Sequence, residues 1–264
     1  MDRETRDMLL ETADRFFTDR CGRELVNNVE KGIWPAELWQ AIEEMGLPHI
    51  AVPEDKGGAG GTLADMLALL RLAGSHAVPV PLAETALANL LIAAAGSEPK
   101  GGPATVALGA LSLSGGRVSG RVERVPFATV VDRYVVVVGD KLAVVGKGAA
   151  ACAATPSHAG EPYGTVTFDR ATAEFVGESP VNAERAVELG AVMRAMQMAG
   201  AAACSSCHSR PASLEMMASR RWDGALPTGR SVGGVLPPTM SVAKKRSRAG
   251  AGRPFPSRLI EPIQ

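Results

Sequence analysis

Apolar side chains recur three or four positions apart along much of the first hundred residues, which is the spacing of helices that bury one face. Residues 2–20 show this spacing first, and a second stretch begins at Pro35, whose missing N–H suits the first turn of a helix. Gly46 ends that stretch, because glycine readily takes the left-handed conformation that closes a helix. The apolar faces are Met8, Leu9, Ala13, Phe16 and Phe17 in the first helix, and Leu38, Trp39, Ile42 and Met45 in the second.

Two more helices are predicted in the same part of the chain. Thr62 and Asp65 have the spacing of a capping box, in which each side chain bonds the other residue's backbone N–H at a helix start. A fourth helix is expected over residues 81–95. Between the second and third helices we expect an extended piece at residues 47–53 and a flexible, glycine-rich turn at residues 54–61.

The hydrophobic period then shortens to two, which indicates strands. Gly139 and Asp140 separate two valine-rich runs and predict a tight hairpin. The predicted strands cover residues 105–108, 116–122, 134–138, 142–145 and 165–168.

The helical period returns after the strands, so the chain divides into four parts. We predict an N-terminal helical domain at 1–100, a middle β domain at 101–180, the first helix of a C-terminal bundle at 181–203, and an irregular tail rich in Pro, Gly and Ser at 204–264. The predicted fold class is therefore α+β: an all-α domain, a small antiparallel β domain and the start of a truncated helical bundle.

Charge is unevenly distributed, although the chain carries 28 basic and 28 acidic residues and a formal net charge of zero. Residues 201–264 contain ten Lys or Arg and three Asp or Glu, so the tail is basic and the rest is acidic. A basic tail can bind nucleic acid non-specifically, but no aromatic residues for base stacking lie within the cluster Lys244 to Arg248. We expect a solvated tail and no specific nucleic-acid partner.

The apolar runs and the cysteines indicate the cellular compartment in which we expect the protein. No apolar run reaches the roughly 18–20 residues that span a bilayer, and the charged N-terminus does not have the pattern of a signal peptide. Four scattered cysteines do not suggest a disulfide framework in a chain of this length. We expect a cytoplasmic protein without membrane attachment.

Three stretches resemble the acyl-CoA dehydrogenase family. WQAIEEMGL at residues 39–47, continued by VPEDKGGAG at 52–60, resembles the family's E-M-G-L helix end and V/I-P-E-x-x-G-G-x-G turn. Residues 118–128 are similar to the family's V-x-G-x-x-x-x-V-P-x-A in the β domain, and residues 189–200 resemble the opening helix of the C-terminal bundle. The three stretches occur in the family's order and cover residues 1–200.

This resemblance implies a flavoprotein that binds FAD and desaturates the Cα–Cβ bond of an acyl-CoA thioester. In that family a glutamate removes the α-proton while the β-hydride passes to the flavin. Hydrogen bonds to the thioester oxygen stabilise the developing enolate. The resemblance also implies an oligomer, either of identical subunits or with a catalytic paralogue.

Several stretches that carry the family's chemistry are missing from this chain. The flavin-contacting T-E-P-x-A-G-S-D, the R-x-Q-F-G-R-P and Q-x-x-G-G-x-G-Y segments and the late catalytic glutamate are not found. We therefore name no catalytic residue and no cofactor-binding residue. Whether the chain is an enzyme stays uncertain at this stage.

Three interpretations remain open. The chain is a non-catalytic subunit that completes a catalytic paralogue, or it is a binding or scaffold module without a redox role. Alternatively, residues 201–264 are the product of a shifted reading frame, because Arg-Pro-Ser-Gly-rich sequence is common in shifted frames of GC-rich DNA.

Local motifs have simpler explanations than sites. Cys204, Cys207 and His208 match the C-x-x-C-H pattern of c-type haem attachment, but haem attachment needs export, and zinc needs further ligands. We therefore predict no metal site. Glu54 and Asp55 are adjacent in a loop, where carboxylates usually face solvent.

The remaining candidate residues are also given structural roles. The glycines at 57–61 follow no convincing buried strand, so we interpret them as a turn rather than a phosphate loop. The predicted core includes Met193, Met196 and Met198. The histidines without a catalytic partner nearby in sequence are His49, His76 and His158.

Overall fold

The computed structural model describes residues 1–157 and 161–208, with side chains up to residue 203. It confirms the predicted α+β class: helices come first, two four-stranded sheets follow, and a long helix comes last. Among the described helices, none is both long enough and apolar enough to cross a bilayer. The helices are α1 Arg3–Arg20, α2 Arg23–Glu30, α3 Ala36–Glu44, α4 Leu63–Ser75, α5 Leu82–Ala94 and α6 Ala183–His208.

The four helices predicted for the first hundred residues are confirmed, and α2 is an additional helix that the sequence pattern missed. It has only eight residues, and none of them is fully buried. A helix this short gives barely two turns of periodic signal, and Asn27 and Asn28 are weak helix formers. Leu25 packs against the edge of the core and holds α2 in place.

The segment predicted to be extended after α3 is instead a tight turn, so that prediction is wrong. Gly46 takes the left-handed conformation (φ 69°) as expected, but a 3-10 turn then forms over Leu47–His49. The N–H of His49 donates to the carbonyl of Gly46 at 3.0 Å. The turn is favoured because it buries Leu47 and Ile50 together, each with 1% of its surface exposed.

The glycine-rich turn folds back on this segment. The N–H of Gly60 donates to the carbonyl of Val52 at 2.9 Å, and that of Gly61 donates to the carbonyl of Ile50 at 2.8 Å. A Cβ on Gly58 would overlap the backbone of Val52, so the turn requires glycine there for the close approach.

The capping box at the start of α4 is confirmed. The N–H of Thr62 donates to the Asp65 carboxylate at 2.8 Å, and the N–H of Asp65 donates to the Thr62 hydroxyl at 3.3 Å. The following helix, α5, is buried on most sides and packs against both the turn after α3 and the first strand. Helix α5 is therefore the centre of the helical part.

Eight strands form two sheets in the orders β1-β4-β5-β8 and β2-β3-β7-β6. All neighbouring pairs are antiparallel except β1 and β4, which run parallel. The predicted hairpin is confirmed, with Gly139 at φ 63° between β4 and β5. The strands are β1 Ala104–Ala107, β2 Leu111–Ser114, β3 Arg117–Val125, β4 Arg133–Val138, β5 Lys141–Gly146, β6 Ala151–Thr155, β7 Tyr163–Thr172 and β8 Phe175–Glu178.

Three of these strands, β2, β6 and β8, were not predicted. Each has four or five residues, and none of their residues is fully buried. Short edge strands of this kind carry little hydrophobic signal, and pairing with a central strand is what forms them. The sequence therefore revealed the buried strands and missed most of the exposed edges.

Two apolar cores result from this arrangement. One lies among the helices and extends onto the first sheet, and the other lies between the two sheets. Tyr134 and Phe168 meet edge-to-face in the second core at 5.8 Å, and the Tyr134 hydroxyl donates to the carbonyl of Ala128 at 2.8 Å. The buried hydroxyl is thus satisfied within the sandwich.

Helix α6 lies against α4 at a distance that glycines set. A Cβ on Gly74 would overlap the carbonyl of Gln197, and a Cβ on Gly200 would overlap the carbonyl of Arg71. Each helix thus places a glycine against a backbone carbonyl of the other helix. Backbone contact of this kind fixes both the spacing and the register of α4 and α6.

We expect Gly74→Ala to destabilise the fold by about 1–3 kcal/mol, because the added methyl group must push one helix backbone away. The matched control is Gly190→Ala on α6, where the new Cβ would lie 3.5 Å from the Leu87 side chain. That control should be neutral or stabilising by up to about 1 kcal/mol through helix propensity. Urea denaturation measures both, and equal stability of the two variants would refute the backbone contact.

Candidate functional site

A cleft lies where α4, α5 and α6 meet the β3 end of the middle domain and the segment before β7. It consists of two adjacent cavities, which we call the large lobe (about 520 Å³) and the small lobe (about 240 Å³). Tyr163 and Arg194 line both lobes and mark their junction. Volumes of this size are in or near the range of small-molecule sites.

Arg194 is the central charge of the cleft. Its Nη2 atom lies 2.7 Å from Oε1 of Glu84 on α5. The same guanidinium donates to both carboxylate oxygens of Glu161, at 2.9 and 3.2 Å. One side chain of α6 therefore joins the helical part to the β part through two carboxylates.

Burial determines the electrostatics of this cluster. Burial raises the pKa of the Glu84 carboxyl, and the guanidinium of Arg194 opposes that change by favouring the charged form. Burial by itself would lower the pKa of Arg194, but Glu84 and Glu161 raise it, so the guanidinium stays protonated. Burial also raises the pKa of Tyr163, and the neighbouring Glu161 adds to that rise.

Two residues near the end of β3 have a strained backbone and line the cleft. Arg124 (φ 55°) and Phe127 (φ 54°) both take the left-handed conformation, which costs non-glycine residues about 1–3 kcal/mol each. The Arg124 guanidinium lies 5.6 Å from the centre of the Tyr163 ring, and Arg194 lies 5.6 Å from that of Phe127. The strain therefore orients two side chains that form the β-side wall.

Sequence reasoning missed every residue of this cluster. A signal was present, because Glu84 is the single charged residue of the largely apolar helix α5. Arg194, near the middle of α6, is flanked by small and apolar residues from Leu189 to Met196. Isolated charges in apolar helices are seldom buried unless they are paired. Which charge pairs with which depends on tertiary packing.

The residues that the sequence analysis considered as possible site residues lie in ordinary structural environments. Glu54 and Asp55 are exposed in a 3-10 turn. His76 lies 2.8 Å from the Asp14 carboxylate, and His49 lies 3.3 Å from the amide nitrogen of Asn89. Burial lowers the pKa of His49, which favours its neutral form.

The methionines of α6 divide between the core and the surface. Met193 is 1% exposed and Met196 packs against the helical core, whereas Met198 is 71% exposed and lines the large lobe, so its prediction as core is wrong. Other predictions lie outside what the structure describes: His158, the side chains of Cys204, Cys207 and His208, and the cluster Lys244 to Arg248. In the part of the chain with described side chains, no three His, Cys, Asp or Glu residues are grouped to hold a metal ion.

The charges of the large lobe do not fit a flavin dinucleotide. A pyrophosphate needs cations or free N–H groups, commonly at a helix N-terminus. Among the described residues, the one cation in the lining is Arg194, which Glu84 and Glu161 neutralise. Glu30 adds a further carboxylate at the exposed rim. This lobe therefore repels a pyrophosphate.

Comparison with known proteins assigns the helical part to a family. Residues 3–100 match the family model of the acyl-CoA dehydrogenase N-terminal domain. The acyl-CoA dehydrogenases IpdE2 of Mycolicibacterium smegmatis and Mycobacterium tuberculosis are 36% and 35% identical to this chain over 97 and 96 residues, which is 35% of this chain in each case. The matched part spans 31% and 30% of those two proteins, about a third of their length.

Solved structures extend the likeness of fold across the described domains. A variant of the Tcur3481-Tcur3483 steroid ACAD has a TM-score of 0.67 at 24% identity, over 84% of this chain and 68% of that chain. The ChsE4-ChsE5 complex of Mycobacterium tuberculosis has a TM-score of 0.64 at 21% identity, over 86% and 69%. At these identities the likeness establishes the fold.

The buried cluster leads to a stability prediction. Arg194→Met leaves Glu84 buried without its cation, and we expect a loss of about 3–5 kcal/mol in unfolding free energy. The matched control is Arg185→Met on the same helix, which breaks the exposed pair with Glu188 and should cost about 0–1 kcal/mol. Denaturant titration compares the two variants, and similar losses would show that the Arg194 cluster is not a buried junction.

Proposed function

We propose that this chain, whose residues 3–100 match the acyl-CoA dehydrogenase N-terminal domain, is one subunit of a hetero-oligomeric acyl-CoA dehydrogenase. The proposed reaction of the assembly is the FAD-dependent α,β-desaturation of an acyl-CoA thioester. This chain alone does not perform it. The observation that carries the proposal is the neutralised charge cluster at Arg194, in the cleft where three parts of the fold meet.

The proposed reaction requires a catalytic base. Removing an α-proton needs a carboxylate that is free to accept it. Both oxygens of Glu161 accept hydrogen bonds from Arg194, and Oε1 of Glu84 contacts the same guanidinium. Arg194 therefore holds both carboxylates in place. Glu30, the third acid of the cleft, is exposed to water and lacks a dry setting.

The proposed reaction also requires a bound flavin. The redox chemistry belongs to the flavin when it is bound, and the large lobe of this chain repels a pyrophosphate. We therefore assign flavin binding in the assembly to a catalytic paralogue. This chain contributes surface and support, as the sequence resemblance also implied.

Helix α6 carries a row of exposed apolar residues. We call this row the α6 stripe; its five members recur three or four positions apart and are all exposed, with Val187 at 56% and Met198 at 71%. An exposed helical stripe of this kind normally packs against further helices. The stripe consists of Val187, Ala191, Ala195, Met198 and Ala202.

The partner that fits the α6 stripe is a helical bundle from a related subunit. Two solved structures with the same fold, Tcur3481-Tcur3483 and the ChsE4-ChsE5 complex, are each named for two different proteins. These likenesses support a hetero-oligomer as the form in which this chain works.

Purification of the chain alone and together with the products of neighbouring genes tests the proposal. We expect yellow flavin absorbance and acyl-CoA oxidation only in the co-purified complex. A stable complex without flavin would favour the scaffold interpretation. Flavin bound by the chain alone would contradict the assignment to a paralogue.

A charge on the α6 stripe should prevent assembly. We expect Ala195→Arg to weaken the complex at least about tenfold, because burying an unpaired charge at an interface costs more than 1.4 kcal/mol. The control is Ser114→Arg, which places the same charge at an exposed position of β2, away from α6. Size-exclusion chromatography of each variant with the partner measures the difference, and equal assembly would exclude the α6 stripe as the interface.

A further inference from the structure

The small lobe has an apolar wall and two polar side chains, Glu84 and Thr105, each with a buried oxygen that has no hydrogen-bond partner among the described residues. Its wall is contributed by α5, by β1 with the residue after it, and by α6. The apolar side chains include Leu87, Val106, Leu108, Ala186 and Met193. Glu84 also lines this lobe, with its side chain 7% exposed.

The two oxygens of Glu84 differ. Oε1 holds Arg194, whereas Oε2 is buried and has no hydrogen-bond partner among the described residues. A buried carboxylate oxygen without a partner is costly, so such an atom in a native fold calls for an explanation. Its position beside a cavity indicates that the missing partner belongs to a bound molecule.

We propose that the small lobe binds a neutral, apolar molecule of one or two rings that carries a hydroxyl group, and that this hydroxyl bonds to Oε2 of Glu84. The lobe volume of about 240 Å³ limits the molecule to that size. The apolar wall favours a hydrocarbon body. Arg124 is the other cation of the lining, but it is exposed and its guanidinium lies 5.6 Å from the centre of the Tyr163 ring. A charge buried beside the Glu84–Arg194 pair would therefore be costly.

The Arg194 guanidinium favours the charged form of Glu84. A hydroxyl group donates to that carboxylate, whereas a ketone or ether can only accept.

This site goes beyond the proposed function. The described residues of this chain form it completely, so it requires neither a partner subunit nor a flavin. Its test therefore uses the full chain alone, and a failed assembly experiment leaves the test unaffected.

The probes are decahydro-2-naphthol and its methyl ether, which have nearly the same hydrocarbon body but differ in the ability to donate a hydrogen bond. Calorimetry or ligand-observed NMR should show that the alcohol binds at least about tenfold more tightly than the ether, the factor that one hydrogen bond to a charged group supplies. Equal binding of the two probes, or no binding of either, would overturn the proposal.

Two variants locate the binding. Gly190→Leu should fill the lobe, since Gly190 lines it and a Cβ there would meet only the Leu87 side chain, at 3.5 Å, and should weaken alcohol binding at least about tenfold. Ala191→Leu adds a leucine on the exposed side of the same helix and should bind the alcohol as the natural chain does. Unchanged binding by Gly190→Leu would place the probe elsewhere.

Glu84→Gln tests the hydrogen bond itself. The preference for the alcohol over the ether should fall to a few-fold, because a neutral amide bonds less strongly than a charged carboxylate. An unchanged preference in this variant would exclude Glu84 as the partner. If the variant does not fold, the pair of probes on the natural chain decides the question.

Discussion

A buried guanidinium has to be neutralised where it lies, and much of this fold is arranged around the neutralisation of Arg194. Its partners come from α5 and from the segment before β7, so a single side chain of α6 joins the helical part to the β part. The helix is held at the required distance by the glycine contacts with α4. Because a buried charge without its partner is so costly, the ion pairs and the packing of α6 depend on each other.

The likeness of fold does not by itself assign an activity to this chain. The order of helices, sheets and final helix is that of the acyl-CoA dehydrogenase fold, and the matched residues 3–100 establish the N-terminal domain. A fold does not determine chemistry, which depends on the charges in the cleft. Here those charges satisfy one another, and this supports a role within an assembly.

The elements that were predicted correctly from the sequence are those that depend on a few neighbouring residues. The capping box of Thr62 and Asp65, the helix end at Gly46 and the hairpin at Gly139 all form as expected, since each depends on a few adjacent residues. The short elements α2, β2, β6 and β8 were missed because long-range pairing forms them. The cleft was missed for the same reason: Glu84 and Arg194 are far apart in sequence, and the apolar helices around them indicated only burial.

The glycine contacts between α4 and α6 also determine which wall of the cleft can change shape. Gly74 and Gly200 bring two backbones together, and backbone contact leaves no side chain whose rotation could widen the gap. The opposite wall includes the side chains of the buried Phe127 and the half-buried Tyr163. Accommodation of molecules of different width would therefore come from the sheet side, with the helical side acting as a rigid template.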